Sequence, residues 1–212
     1  MKKNKLFLLG LFVVFAAVLS LSLVSNTLAK YTTSDNGSDT ARVAKWGVVV
    51  NLDSFDMFEA NYDNTVISAN GTDKVVAPGT TGTLAGISIT GAPEVKVEVK
   101  FEATLELTGW EVSGAEYCPL EIKVGSVTYK IGDNATDIED LIDKVEAAIE
   151  GYTAEYDANV NLATFAEAPQ VSWTWKLEGN DDVKDTALGD QAANATAPEI
   201  ELSVTCTVTQ VE

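Results

Sequence analysis

Five carboxylates, Glu178, Asp181, Asp182, Asp185 and Asp190, crowd one short stretch of this chain. Oxygen ligands of this kind suit calcium, a hard cation, better than zinc. Their spacing is not that of an EF-hand loop. Asp181, Asp182 and Asp185 are therefore weak calcium candidates, set against the plainer reading of a solvated acidic loop. Paired acids also do acid–base work, but no spacing here singles out a pair. The 212 residues include no histidine. That removes the commonest general base and the commonest transition-metal ligand. A zinc peptidase of the common type needs two histidines one helical turn apart, so that site cannot be built. The expectation is a protein without catalytic residues or a cofactor, and not an enzyme.

Cys118 and Cys206 are the only two cysteines. Cys206 sits in the alternating run Ile200-Leu202-Val204-Cys206-Val208, and Cys118 shares parity with Leu120, Ile122 and Val124. Both side chains should point inward. Two readings stay open: a disulfide, as an exported chain permits, or two buried thiols acting as small hydrophobes. Trp173 and Trp175 share a strand face with Val171 and Leu177, and Trp46 shares parity with Val48 and Val50. Those patterns predict core positions. Trp110, after Gly109 at a strand end, is the one tryptophan expected to be exposed.

The elements that must position these residues are mostly strands. Residues 41–52 are apolar and β-branched, and Pro78-Gly79 marks a turn before residues 83–90. Residues 94–108 alternate strictly, with Val95, Val97, Val99, Phe101, Ala103, Leu105 and Leu107 on one face and charged residues or threonine on the other. That predicts a long strand, buried on one side and wet on the other. LEIKVGSVTYKI reads as a hairpin around Gly125-Ser126. The one expected helix starts at a Thr136/Glu139 capping box and stops at Gly151. Strands 170–178 and 199–211 follow, with an acidic loop between them. Many strands and one inserted helix predict a mainly β, jelly-roll-like antiparallel sandwich.

The N-terminus is of a different kind. Lys2, Lys3 and Lys5 precede an apolar run over residues 6–24, and Thr27 and Ala29 take the two small-residue positions of a cleavage site before Lys30. The run is about 28 Å long as a helix, enough to anchor in a bilayer if uncleaved. The reading is a signal peptide over residues 1–29, a flexible segment over 30–40 and a folded domain over 41–212. The leader holds three of the 14 basic residues and none of the 32 acidic ones, so the remainder carries 11 − 32 = −21. Such a surface repels nucleic acid and anionic lipid, so contact with a membrane is expected only during export.

Three strings then combine: SDTARVAKWGV soon after the Thr-Leu-Ala site, APGTTG leading into alternating strands, and WTWKLEGNDDVKDTALGD before a terminal strand ending VTQV. Together they resemble the TasA/camelysin family of exported proteins from Gram-positive bacteria. The resemblance implies processing by a SipW-like signal peptidase, a jelly-roll subunit, and a secreted or cell-surface place in biofilm-matrix fibres. It also implies assembly with copies of itself or related matrix subunits. In that mode the segment freed by cleavage, beginning Lys30-Tyr31-Thr32-Thr33, adds as a strand to a neighbour. Tyr31 is its only large apolar residue. The alternative is a non-polymerising surface binding module or adhesin, and after that an exported peptidase.

Overall fold

The computed structural model describes residues 2–25, 37–164, 168–194 and 196–212. The chain divides into two compact units, Met1–Arg42 and Val43–Glu212. The first contains helix α1 (Lys2–Ser25). Its side chains from Leu11 to Phe15 stand exposed. Apolar residues surround it on every face, so no single stripe could be buried against a protein core.

The second unit is mainly β. Its first half contains short strands: β1 (Val49–Asn51), β2 (Asn61–Tyr62), β3 (Val66–Ile67), β4 (Thr81–Thr83) and β5 (Ser88–Thr90). Then come β6 (Val97–Thr108), β7 (Glu111–Val112), β8 (Ala115–Glu116), β9 (Leu120–Val124) and β10 (Val127–Tyr129). Helix α2 (Ile138–Glu150) leads into β11 (Thr153–Tyr156), β12 (Val171–Trp175), helix α3 (Asp182–Ala193) and β13 (Glu199–Gln210). Two antiparallel sheets form the sandwich, one in the order β10-β9-β12-β4 and the other in the order β11-β6-β13. Their inward residues and those of α2 join in one hydrophobic cluster.

The long strand keeps its expected alternation. In β6 the odd-numbered residues Val97 to Leu107 are buried and none of the even-numbered ones is. β13 pairs with it along its whole length, Leu202 opposite Leu105 and Cys206 opposite Phe101. Each fully buried valine, leucine or phenylalanine contributes roughly 1.5–3 kcal/mol of transfer free energy. The 125–126 hairpin forms as expected, with Val127 opposite Val124.

On its other edge β6 has two partners. β11 pairs only with Val97 to Lys100. Farther along, α2 packs against β6, and the Glu146 carboxylate accepts the Leu105 N–H at 2.7 Å. The helix stands where another strand would otherwise be needed. Its cap is Asp137, not Thr136: the Asp137 carboxylate accepts the Asp140 N–H at 2.9 Å. The Asp140 carboxylate returns the bond to the Thr136 N–H at 2.8 Å. Aspartate outranks threonine as a cap, which moves the box by one residue.

Several expectations are corrected. The strand expected over 41–52 is confined to Val49–Asn51. Gly47 at φ 60 breaks the extended run and with it the parity that pointed Trp46 inward. Trp46 is 40 % exposed and Val43 91 %. Leu177 is exposed because β12 ends at Trp175. The acidic stretch expected as a loop is helix α3. Asp181 caps this helix, accepting the N–H groups of Val183 and Lys184 at 3.2 Å each. Leu188 is its one buried apolar residue, too sparse a signal to show as a periodicity.

Candidate functional site

The expected cleavage residues Thr27, Ala29 and Lys30 lie outside the described residues, as do Tyr31, Thr32 and Thr33 of the expected assembly segment. The three calcium candidates are each engaged in local structure. Asp181 caps α3, Asp182 opens it on the exposed side, and Asp185 is buried beneath it. The Tyr117 hydroxyl donates to Asp185 Oδ1 at 2.7 Å and accepts the Asp181 N–H at 3.2 Å. Burial first, and then the Asp185 carboxylate, raises the Tyr117 pKa well above the usual phenol range. Among the described residues no group of three or more His, Cys, Asp or Glu side chains is placed to hold a metal ion. With no histidine in the chain, the residues do not fit a zinc peptidase centre.

No disulfide joins Cys118 and Cys206, and both are free thiols. Cys118 is buried and Cys206 half-buried, as small hydrophobes of the core. Burial pushes the Cys118 thiol up to about 12 and the Cys206 thiol up to about 11. Neither offers thiolate at neutral pH, and the thiolate is the reactive form. Iodoacetamide at pH 8 is expected to leave both unmodified in the folded protein and to alkylate both in denaturant. Intact-mass measurement reads the difference.

The tryptophans build the inside of the sheet. Trp173 donates its indole N–H to the Met57 carbonyl at 3.0 Å, with the Phe58 ring 5.4 Å away. Trp110 is not exposed as expected but 2 % accessible. Its indole N–H donates to the Glu199 carbonyl at 2.8 Å, and its ring centre lies 5.5 Å from that of Trp175. Strand parity could not place it, because the chain turns at Gly109 straight after β6.

Trp110 and Trp175 line a cleft of about 850 Å³. Val75 and Pro78 come to it from the loop before β4, Leu188 from α3, and Ile200 from the start of β13. Asp73, Lys74, Glu199 and Glu201 supply charge. Lys74 is held by Asp56, Nζ to Oδ1 at 2.6 Å, so the remaining charge on the rim is negative. The Trp175 indole N–H is buried and has no hydrogen-bond partner among the described residues. A buried donor left in that state costs roughly 1–3 kcal/mol. The cleft is assembled from separate parts of the chain, among them the loop before β4, Trp110, β12, α3 and the start of β13, and no local spacing announces it.

Beside the cleft runs the outer edge of β13. The Leu105 N–H turns to Glu146, away from β13, while the Lys96 carbonyl accepts the Val211 N–H. Even-numbered residues of β6 thus bond to β13, and their partners in β13 are odd-numbered. It follows that Ile200, Leu202, Val204, Cys206 and Val208 direct their backbone groups to the outside. Among the described residues no strand pairs with that side, although β1 packs against β13. The opposite edge of this sheet is the four-residue β11, and the other sheet ends in strands of three residues. No family model, curated protein or solved structure matches this chain.

Proposed function

We propose that this protein is a secreted structural subunit that assembles into extracellular surface or biofilm-matrix fibres by N-terminal strand addition. The carrying observation is the open edge of β13, twelve residues long. A row of unpaired N–H and C=O groups of that length is a template for an incoming strand. The exposed apolar helix α1 supports an export leader, and a SipW-like signal peptidase is the proposed processing enzyme. Cleavage before Lys30 would then free residues 30–40 as the donor. The excess of acidic residues beyond the leader opposes close approach of two copies, so salt should favour assembly.

Negative-stain electron microscopy of the chain beginning at Lys30 tests this. Fibres are expected at micromolar concentration, more of them as salt is raised, and none after deletion of residues 30–40. A monomer at every salt and concentration, indifferent to that deletion, would sink the proposal in favour of a non-polymerising surface module.

A further inference from the structure

One side of the cleft lined by Trp110 and Trp175 is helix α3. Asp185, Leu188, Gly189 and Ala192 all line it, and their i, i+3, i+4, i+7 spacing puts them on one helix face. That face carries a single large apolar side chain, Leu188. Val183, the other large aliphatic residue of α3, is 80 % exposed. Helix α2, by contrast, buries Leu141, Val145 and Ile149 completely. Nor does the α3 sequence favour a helix by itself. Twelve residues are marginal for a helix alone in water, and Val183, Thr186 and Gly189 are weak helix formers.

What fixes α3 is a small set of polar contacts, all made to the segment between Glu111 and Tyr117. The Tyr117 hydroxyl makes two of them, accepting the Asp181 N–H and donating to the Asp185 carboxylate. Lys184 Nζ lies 5.0 Å from the centre of the Tyr117 ring. The Gln191 amide donates to the Glu111 carbonyl at 2.8 Å. Among the described residues no other side-chain hydrogen bond or ion pair ties α3 to a distant part of the chain. At its leading end the helix has room to pivot. Leu177 to Gly179 are exposed, and Gly179 sits at φ 88 with open space where a Cβ would stand. The wall behind α3 is fixed, Trp110 by its bond to Glu199 and Trp175 within β12. We infer that α3 is a lid on the cleft and that Tyr117 is its catch. Closed, the lid keeps both indoles almost wholly covered. Release of the Tyr117 hydroxyl lets α3 undock and melt as a unit, below the free energy of global unfolding. That bares the Trp110–Trp175 wall on a sandwich that is otherwise intact. The choice between a hidden and a bared aromatic wall is thus set by a few contacts to Tyr117 and Glu111. Trp175 carries the reporter: its indole N–H has no partner among the described residues, so only its cover delays exchange.

Native-state hydrogen exchange decides. The chain beginning at Lys30 is kept dilute and at low salt. Amide and indole N–H exchange is followed by nitrogen-15 NMR in rising, sub-denaturing guanidinium, with the Trp175 indole assigned by Trp175→Phe. The α3 amides are expected to exchange at least about a hundredfold faster than the hydrogen-bonded amides of central β6. Their denaturant dependence should be weaker too, because the opening exposes little surface. The Trp175 indole N–H should follow the α3 amides and not those of β12. Tyr117→Phe keeps the ring and removes only the hydroxyl, and should speed α3 and indole exchange together by about tenfold. If α3 and β6 share one exchange curve, the helix belongs to the core and the lid falls. If the indole exchanges faster than α3, or only with β12, α3 is not its cover and the lid falls again. Unchanged α3 exchange in Tyr117→Phe, or failure of that variant to fold, removes Tyr117 as the catch.

Discussion

Gly82→Ala is expected to cost the fold at least about 3 kcal/mol, among the larger losses a single added methyl produces. Gly82 lies in β4 directly opposite Trp173 of β12. A Cβ built there would run into the Met57 carbonyl oxygen and Trp173 Nε1, nearer than real Cβ atoms approach. Those two atoms are hydrogen-bonded to each other, so one methyl strikes both ends of a buried bond. Relief requires moving the indole, which also packs against Phe58 and Tyr62. Chemical denaturation measures the loss. Gly189→Ala is the matched control: it lies within α3 with open space where a Cβ would stand, and alanine there should be neutral or stabilise by up to about 1 kcal/mol. Equal stabilities for the two variants would show that Gly82 is not a forced close approach.

Cys206→Pro is expected to abolish fibre growth while leaving the subunit folded. The Cys206 N–H points to the open side of β13, so proline there breaks no bond to β6 and is the placement an edge strand tolerates. It removes a donor and crowds the path of an added strand. One residue earlier the outcome reverses. The Thr205 N–H faces Glu102 of β6, and Thr205→Pro should destabilise the fold by about 3 kcal/mol. Thermal melts and electron microscopy of the two variants separate the effects. Full-length fibres from folded Cys206→Pro would exclude the middle of the β13 edge as the acceptor.

How far the sequence foretold these features depends on how local their causes are. β6 and β13 were legible because each turns alternate apolar residues inward, fully buried along β6 and buried or half-buried from Ile200 to Val208 in β13, and strict alternation has no other simple reading. The 125–126 hairpin was legible from its turn residues. Helix α3 was not, since it is held by Leu188, by the Asp185–Tyr117 bond and by a cap that an acidic run conceals. Trp110 and Trp46 exchanged places for a related reason. Parity holds only inside a strand, and each lies just beyond one. The cleft drew least on local pattern, because Val75, Trp110, Trp175 and Ile200 meet only after the sheets have formed.

Helix α2 has a consequence beyond stability. By covering the far edge of β6 it removes one of the two places where the longer sheet could be extended. On the proposed strand addition, a subunit with a single long acceptor edge among the described residues and a single donor would have a valence of one at each end. Contacts of that kind join unlike surfaces and do not close on themselves unless the rotation between neighbours happens to make a ring. Growth by the proposed mode would be directional and unbranched, and one copy lacking its donor would terminate a chain instead of cross-linking it.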